Sequence, residues 1–124
     1  MNTRTIESFD GVKIVYDVAT SGVNTSPEND QPTLVFIHGW TCNRSHWIEQ
    51  VTTFSDRFPV IAIDLAGHGD SSFERTNYSM ESFARDVVAV LDKEQIERAV
   101  LVGHSMGGMV IAHTARLLGE RVIG

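Results

Sequence analysis

Apolar residues along the chain fall into two kinds of run, and the difference between them predicts the elements. Thr3 to Phe9 and Val12 to Ala19 are short alternating runs joined by Asp10-Gly11. Asp-Gly between two such runs is a strong hairpin signal, because both turn residues tolerate positive φ. In the second run Ile14, Tyr16 and Val18 share one face, opposite Lys13, Val15 and Asp17. By contrast, Thr33–Ile37, Val60–Ile63 and Ala99–Val102 are apolar without alternation, the mark of strands covered on both faces. Between them lie helical spacings. Trp47, Val51 and Phe54 predict a helix from about Ser45 to Asp56. Met80, Phe83, Val87, Val90 and Leu91 predict another, with Ser79 as N-cap, an end near Glu94, and Asp86, Asp92, Lys93 and Glu94 largely outside the stripe. Met109, Val110, Ala112 and Ala115 mark a third, running to about Leu118 with Gly119 as C-cap. The polar stretch from Ser21 to Pro32 reads as a surface loop, and Arg121 to Gly124 as the opening of a further strand.

Buried strands alternating with helices imply right-handed crossovers and a parallel sheet with the hairpin at one edge. The expected fold class is therefore α/β, a three-layer α/β/α arrangement around a mostly parallel sheet. The length of 124 residues suits one domain. In such a sheet the reactive crevice lies beyond the carboxyl ends of the strands. Three loops share that side: His38–Asn43, Asp64–Ser72 and Gly103–Gly108.

The last of these carries the most chemistry. Gly103-His104-Ser105-Met106-Gly107 is a Gly-x-Ser-x-Gly pattern set between a strand and a helix, which is the context a nucleophile elbow requires. Such a turn strains Ser105 so that its hydroxyl projects from the sheet edge. Gly103 and Gly107 remove side chains where strand and helix backbones nearly touch. The helix then aims free N–H groups and its positive end at the space above the hydroxyl. His38-Gly39-Trp40 follows the strand that should neighbour the elbow strand. Gly39 lets the backbone turn towards Ser105, leaving the Trp40 N–H free to pair with that of Met106 as a two-donor oxyanion hole.

Composition narrows the possibilities further. A net charge of −6 lacks the basic footprint of a nucleic-acid or anionic-membrane binder. No apolar run approaches a membrane span and no signal-like segment opens the chain, so the expected location is cytoplasmic. Asn24, Asn43 and Asn77 formally match glycosylation acceptors but read as turn chemistry. Cys42, the single cysteine, excludes an internal disulfide and reads as a small buried hydrophobe. Neither H-x-x-x-H nor H-E-x-x-H occurs, so no metal is expected. The glycine loops lack phosphate-loop and dinucleotide patterns, so no nucleotide or other cofactor is expected either.

Taken in order, His38-Gly39-Trp40, Asp64-Leu65-Ala66-Gly67-His68-Gly69-Asp70-Ser71 and Gly103 to Gly108 resemble the α/β-hydrolase fold family. The likeness is nearest to its esterase, epoxide-hydrolase, haloperoxidase and carbon–carbon-hydrolase branch. The resemblance implies that Ser105 is the nucleophile and that Trp40 and Met106 are the oxyanion donors. It also implies that Asp64, Gly67, Gly69 and Ser71 form a structural loop. Serine rather than aspartate at the elbow makes the likeness one to the acyl-transfer members and not to the epoxide hydrolases or dehalogenases. The resemblance thereby implies a small-molecule acyl substrate such as a carboxylic ester.

Family order places the acid and the histidine after the nucleophile. The expectation is that both come from sequence beyond Gly124, with the 124 residues forming the N-terminal part of a domain. That C-terminal segment is then the expected partner of an otherwise inactive chain. Local substitutes are weaker readings. The His104 side chain should point away from the hydroxyl, and His68 and His38 read as turn residues bonded locally. His46 and His113 read as half-exposed helix residues, and Asp64 and Asp70 as carboxylates able in principle to orient a histidine. Acyl transfer, perhydrolysis or a binding role on the same fold remain open alternatives.

Overall fold

A computed structural model describes residues 1–20 and 31–124. The hairpin pairs β1 (Asn2–Glu7) with β2 (Lys13–Ala19) in antiparallel register, Glu7 opposite Lys13. Gly11 takes the positive φ of 84° that the turn needs. The turn is wider than a two-residue Asp-Gly loop, because β1 stops at Glu7. Ser8 then closes the loop through its N–H to the Val12 carbonyl at 2.8 Å. Its hydroxyl is diverted to Asp86. Most of the expected Ser21–Pro32 loop lies outside the described residues.

The remaining strands are β3 (Thr33–Ile37), β4 (Val60–Ile63) and β5 (Ala99–Gly103). Sheet order is β1-β2-β4-β3-β5, with β4, β3 and β5 parallel and the hairpin joined antiparallel through β2. The step from β3 to β4 and the step from β4 to β5 run in opposite directions across the sheet. Right-handed crossovers then place their helices on opposite faces. Accordingly α1 (Ile48–Phe54), entered through a 3₁₀ turn at Arg44–Trp47, covers one face. On the other, α2 (Met80–Lys93) packs with α3 (Met106–Leu118).

The apolar runs divide between these layers residue by residue. Val35, Ile37, Ile61 and Ile63 face α2 and α3, whereas Phe36, Val60 and Ala62 face α1 and the Trp47 ring. That is why the runs show no polar alternation.

Helix registers depart from the spacing in three places. Only Val51 is buried on α1, packed with Trp47 against the sheet, while Phe54 is 41% exposed. On α3 the inward residues are Met106, Gly107, Val110, Thr114 and Leu118, and Met109 and Ala112 face out. Thr114 can be buried because its hydroxyl donates to the Val110 carbonyl at 2.8 Å. On α2, Asp86 is fully buried rather than outside the stripe, since Arg75 and Ser8 satisfy it. The Ser79 hydroxyl does cap this helix, accepting from Ser82 N–H at 3.0 Å. Cys42 is half-buried rather than buried, and is a free thiol.

After Gly119, whose φ is 58°, Val122 forms a single parallel bridge with Ala99. Ile123 N–H reaches the Ala99 carbonyl and Leu101 N–H the Gly124 carbonyl. The segment expected to open a strand thus lies along the free edge of β5. No helix among the described residues is long and apolar enough to cross a membrane.

Candidate active site at the ends of β3 and β5

β5 runs into Ser105, and α3 begins at the next residue. Ser105 has φ 56° and ψ −118°, a conformation that L-residues rarely adopt, and it is exposed. Two close approaches hold this turn. A Cβ on Gly103 would overlap the Gly107 carbonyl, where strand and helix meet. A Cβ on Gly107 would overlap the Ile37 carbonyl, so this second glycine lets α3 descend onto the end of β3 rather than onto its own strand. His104 N–H donates to Ile37 as well, tying the elbow to the neighbouring strand.

The loop after β3 reaches the same point. A Cβ on Gly39 would lie 3.2 Å from Ser105 Cβ and 3.0 Å from the His104 carbonyl oxygen. Backbone bonds around the site take Gly107 N–H to His104, Gly108 N–H to Ser105, and Cys42 N–H to Gly39. They leave the N–H groups of Trp40 and Met106 without an acceptor among the described residues. Trp40 is 62% exposed, and its ring meets that of His68 edge-on, with the ring centres 5.2 Å apart.

His38 is fully buried beneath this loop. Leu65 N–H points at its Nε2 at 3.0 Å, and an N–H can only donate, so Nε2 carries no proton. The ring proton therefore sits on Nδ1, which donates to the Gly39 carbonyl at 2.7 Å. Burial pushes the imidazole pKa below its ordinary range, which keeps this neutral tautomer.

The third loop is organised by Asp64, also fully buried. Its carboxylate accepts from the Arg44 N–H at 2.6 Å, the Asp70 N–H at 2.9 Å and the Arg44 guanidinium. Gly69 (φ 51°) is pressed against that carboxylate, leaving no room for a Cβ. Gly67 (φ 76°) faces the Tyr78 ring, and Ser71 accepts from Val15 N–H while donating to the Asp64 carbonyl. Asp64 and Asp70 therefore orient no histidine; both are engaged by Arg44, which also lies 3.0 Å from Asp17. Sequence reasoning missed Arg44. Its only signal was an arginine beside a helix-capping Asn43, with carboxylates recurring after the neighbouring strands.

The other imidazoles are spent elsewhere. His68 Nδ1 donates to the Ala66 carbonyl at 3.0 Å. His46 and His104 stack on one another at 5.5 Å, both exposed, and His113 lies on α3. Among the described residues no histidine or carboxylate bonds the Ser105 hydroxyl, and no three metal-ligating side chains gather. The structure thus brings the three loops together: Gly39 against Ser105, His38 against Leu65, and Trp40 against His68.

Comparison with known proteins gives this arrangement its setting. The model of the alpha/beta hydrolase fold family matches residues 32–123. A 3-oxoadipate enol-lactonase of Acinetobacter baylyi is 34% identical over 77% of this chain and 42% of its own length. A non-heme chloroperoxidase of Streptomyces lividans is 35% identical over 95% of this chain and 41% of its own. The chain therefore spans about two fifths of these relatives. Among solved structures, an N-acyl homoserine lactone degrading enzyme superimposes with a TM-score of 0.85 at 39% identity. It is covered over 43% of its length by 98% of this chain. An esterase from a Rhodococcus species gives 0.83 at 33% identity, with the same coverage of both chains.

Proposed function

This chain belongs to the alpha/beta hydrolase fold family, and from that premise we propose that Ser105 is the nucleophile of an ester- or lactone-cleaving reaction. The observation that carries the reading is the exposed, strained Ser105 at the start of α3, with Gly39 packed against it. Ser105 Oγ attacks the substrate carbonyl carbon, and the carbonyl π electrons move onto oxygen. That oxyanion sits between the N–H groups of Trp40 and Met106, which have no other acceptor to give up among the described residues. Pre-aimed donors of this kind lose nothing to reorganisation when charge develops, and each is worth about 2.7–4 kcal/mol. Collapse of the intermediate expels the alkoxide and leaves an acyl group on Ser105 for water to remove.

The Ser105 proton needs a base, and no described histidine reaches the hydroxyl. The reading therefore assigns the base and its orienting acid to residues outside these 124. Enol-lactonase, esterase and homoserine-lactone-degrading relatives support a carboxylic ester or lactone as the substrate class.

A fluorophosphonate probe tests this on the full-length protein that carries the sequence. Labelling is expected at Ser105 and should vanish in Ser105→Ala; labelling at another residue defeats the assignment. Ester turnover by the 124 residues alone, at the rate of the full-length protein, defeats the assignment of the base.

A further inference from the structure

Gly39 has no side chain because Ser105 and His104 stand too close to admit one comfortably. The same absence leaves the Gly39–Trp40 peptide free to rotate, since glycine constrains its own dihedrals least. Something outside the peptide has to fix it. The Gly39 carbonyl receives two donors, His38 Nδ1–H at 2.7 Å and Cys42 N–H at 3.1 Å. Across a planar trans peptide, holding the carbonyl on one side holds the N–H on the other, and no peptide bond among the described residues is cis.

We propose that His38 is a positioning residue for the reaction. Its imidazole relays a hydrogen-bond chain from Leu65 N–H through the ring to the Gly39 carbonyl, and so orients and polarises the Trp40 N–H. The proposal rests on reading that N–H as an oxyanion donor. Each link strengthens the next: a donor on Nε2's lone pair orders the ring, and a donor on the carbonyl draws electron density from the amide N–H. The chain also accounts for the burial of a polar ring, since both nitrogens are satisfied. It couples the loop after β4 to the loop after β3, so a shift at Leu65 is felt at Trp40.

Two substitutions divide the roles of the ring. In His38→Asn the amide nitrogen takes the place of Nδ1 and keeps the donor to Gly39. In His38→Gln the amide oxygen takes the place of Nε2, keeping the acceptor for Leu65 and losing the donor. With the full-length protein and a p-nitrophenyl ester, His38→Gln is expected to lower kcat roughly 10- to 100-fold with KM changed less than about twofold. His38→Asn should recover most of that loss. Equal losses in both variants, tracking their melting temperatures, would mean a merely structural ring and overturn the proposal; so would an unchanged kcat in His38→Gln.

If fluorophosphonate fails to label Ser105 in the unsubstituted protein, the nucleophile reading fails first. The Trp40 amide proton then decides the hydrogen-bond chain by itself. It should move upfield in His38→Gln and stay near its original shift in His38→Asn; the same shift in both overturns the proposal.

Discussion

Arg75 donates two parallel hydrogen bonds of 2.6 Å to the carboxylate of Asp86, with the side chains only 2% and 0% exposed. The other edge of the guanidinium reaches Asp10 at 2.9 and 3.1 Å, and Ser8 donates to Asp86. The Phe9 ring lies against Arg75 at 5.1 Å and against Arg85 at 3.7 Å. One buried arginine thus fastens the β1–β2 turn, the segment leading into α2, and α2 itself.

Breaking this pair strands a buried charge, which typically costs about 3–5 kcal/mol. Arg75→Ala is expected to cost more than Asp86→Ala, because the second variant leaves Arg75 its partner Asp10. An Arg75→Met, Asp86→Leu double variant should cost less than the sum of the singles. Urea unfolding of all three checks the order.

Two adjacent glycines on α3 should respond with opposite signs. Gly107→Ala forces a methyl into the Ile37 carbonyl and is expected to destabilise by about 1–3 kcal/mol or more. At Gly108 a Cβ meets nothing within 4 Å, so Gly108→Ala should stabilise through helix propensity by about 0.5–1 kcal/mol. Thermal melts of the two variants suffice to compare them.

Strain at Ser105 predicts a conflict between stability and reactivity. Ser105→Gly relaxes the positive φ and is expected to exceed Ser105→Ala in stability by about 1–3 kcal/mol. Neither variant should accept a fluorophosphonate. Equal stability of the two would mean that the turn stores no strain.

Tyr16 links stability to alkaline pH. Burial, and next the bond from its hydroxyl to Glu94 at 2.6 Å, raise its pKa above the ordinary value of 10.0. A raised pKa means that the folded state holds the proton more tightly than the unfolded state does. The resulting stabilisation is full below pH 10, and is lost as pH climbs from there through the folded value. Tyr16→Phe should flatten this part of the profile, measured as unfolding free energy from pH 8 to 11 against the unsubstituted protein.

The strand-to-helix turn at Ser105 was readable along the chain, because its parts are local. Gly103 to Gly108 must turn a strand into a helix within a few residues, and the flanking apolar runs announce both. The same holds for Ser79 as a cap and for strands whose unbroken apolar runs face two layers. What escaped reading was side-chain pairing across long separations. Asp86 looked like a solvent residue on α2 until Arg75 and Ser8 reached it, and Arg44 had no visible claim on Asp64. On α3 the spacing favoured Met109 and Ala112 over Thr114, which is buried only because its hydroxyl turns back to Val110.

Sequence by itself determined where Ser105 would stand, since backbone sterics at Gly103 and Gly107 act within one turn. It also determined the layers, because the period of apolar residues dictates which faces must be covered. Only the tertiary structure decided what holds the site in place: His38 bridging Leu65 to Gly39, and Arg44 engaging Asp64. A buried polar group must find its partner in three dimensions, and no local pattern records where that partner will come from.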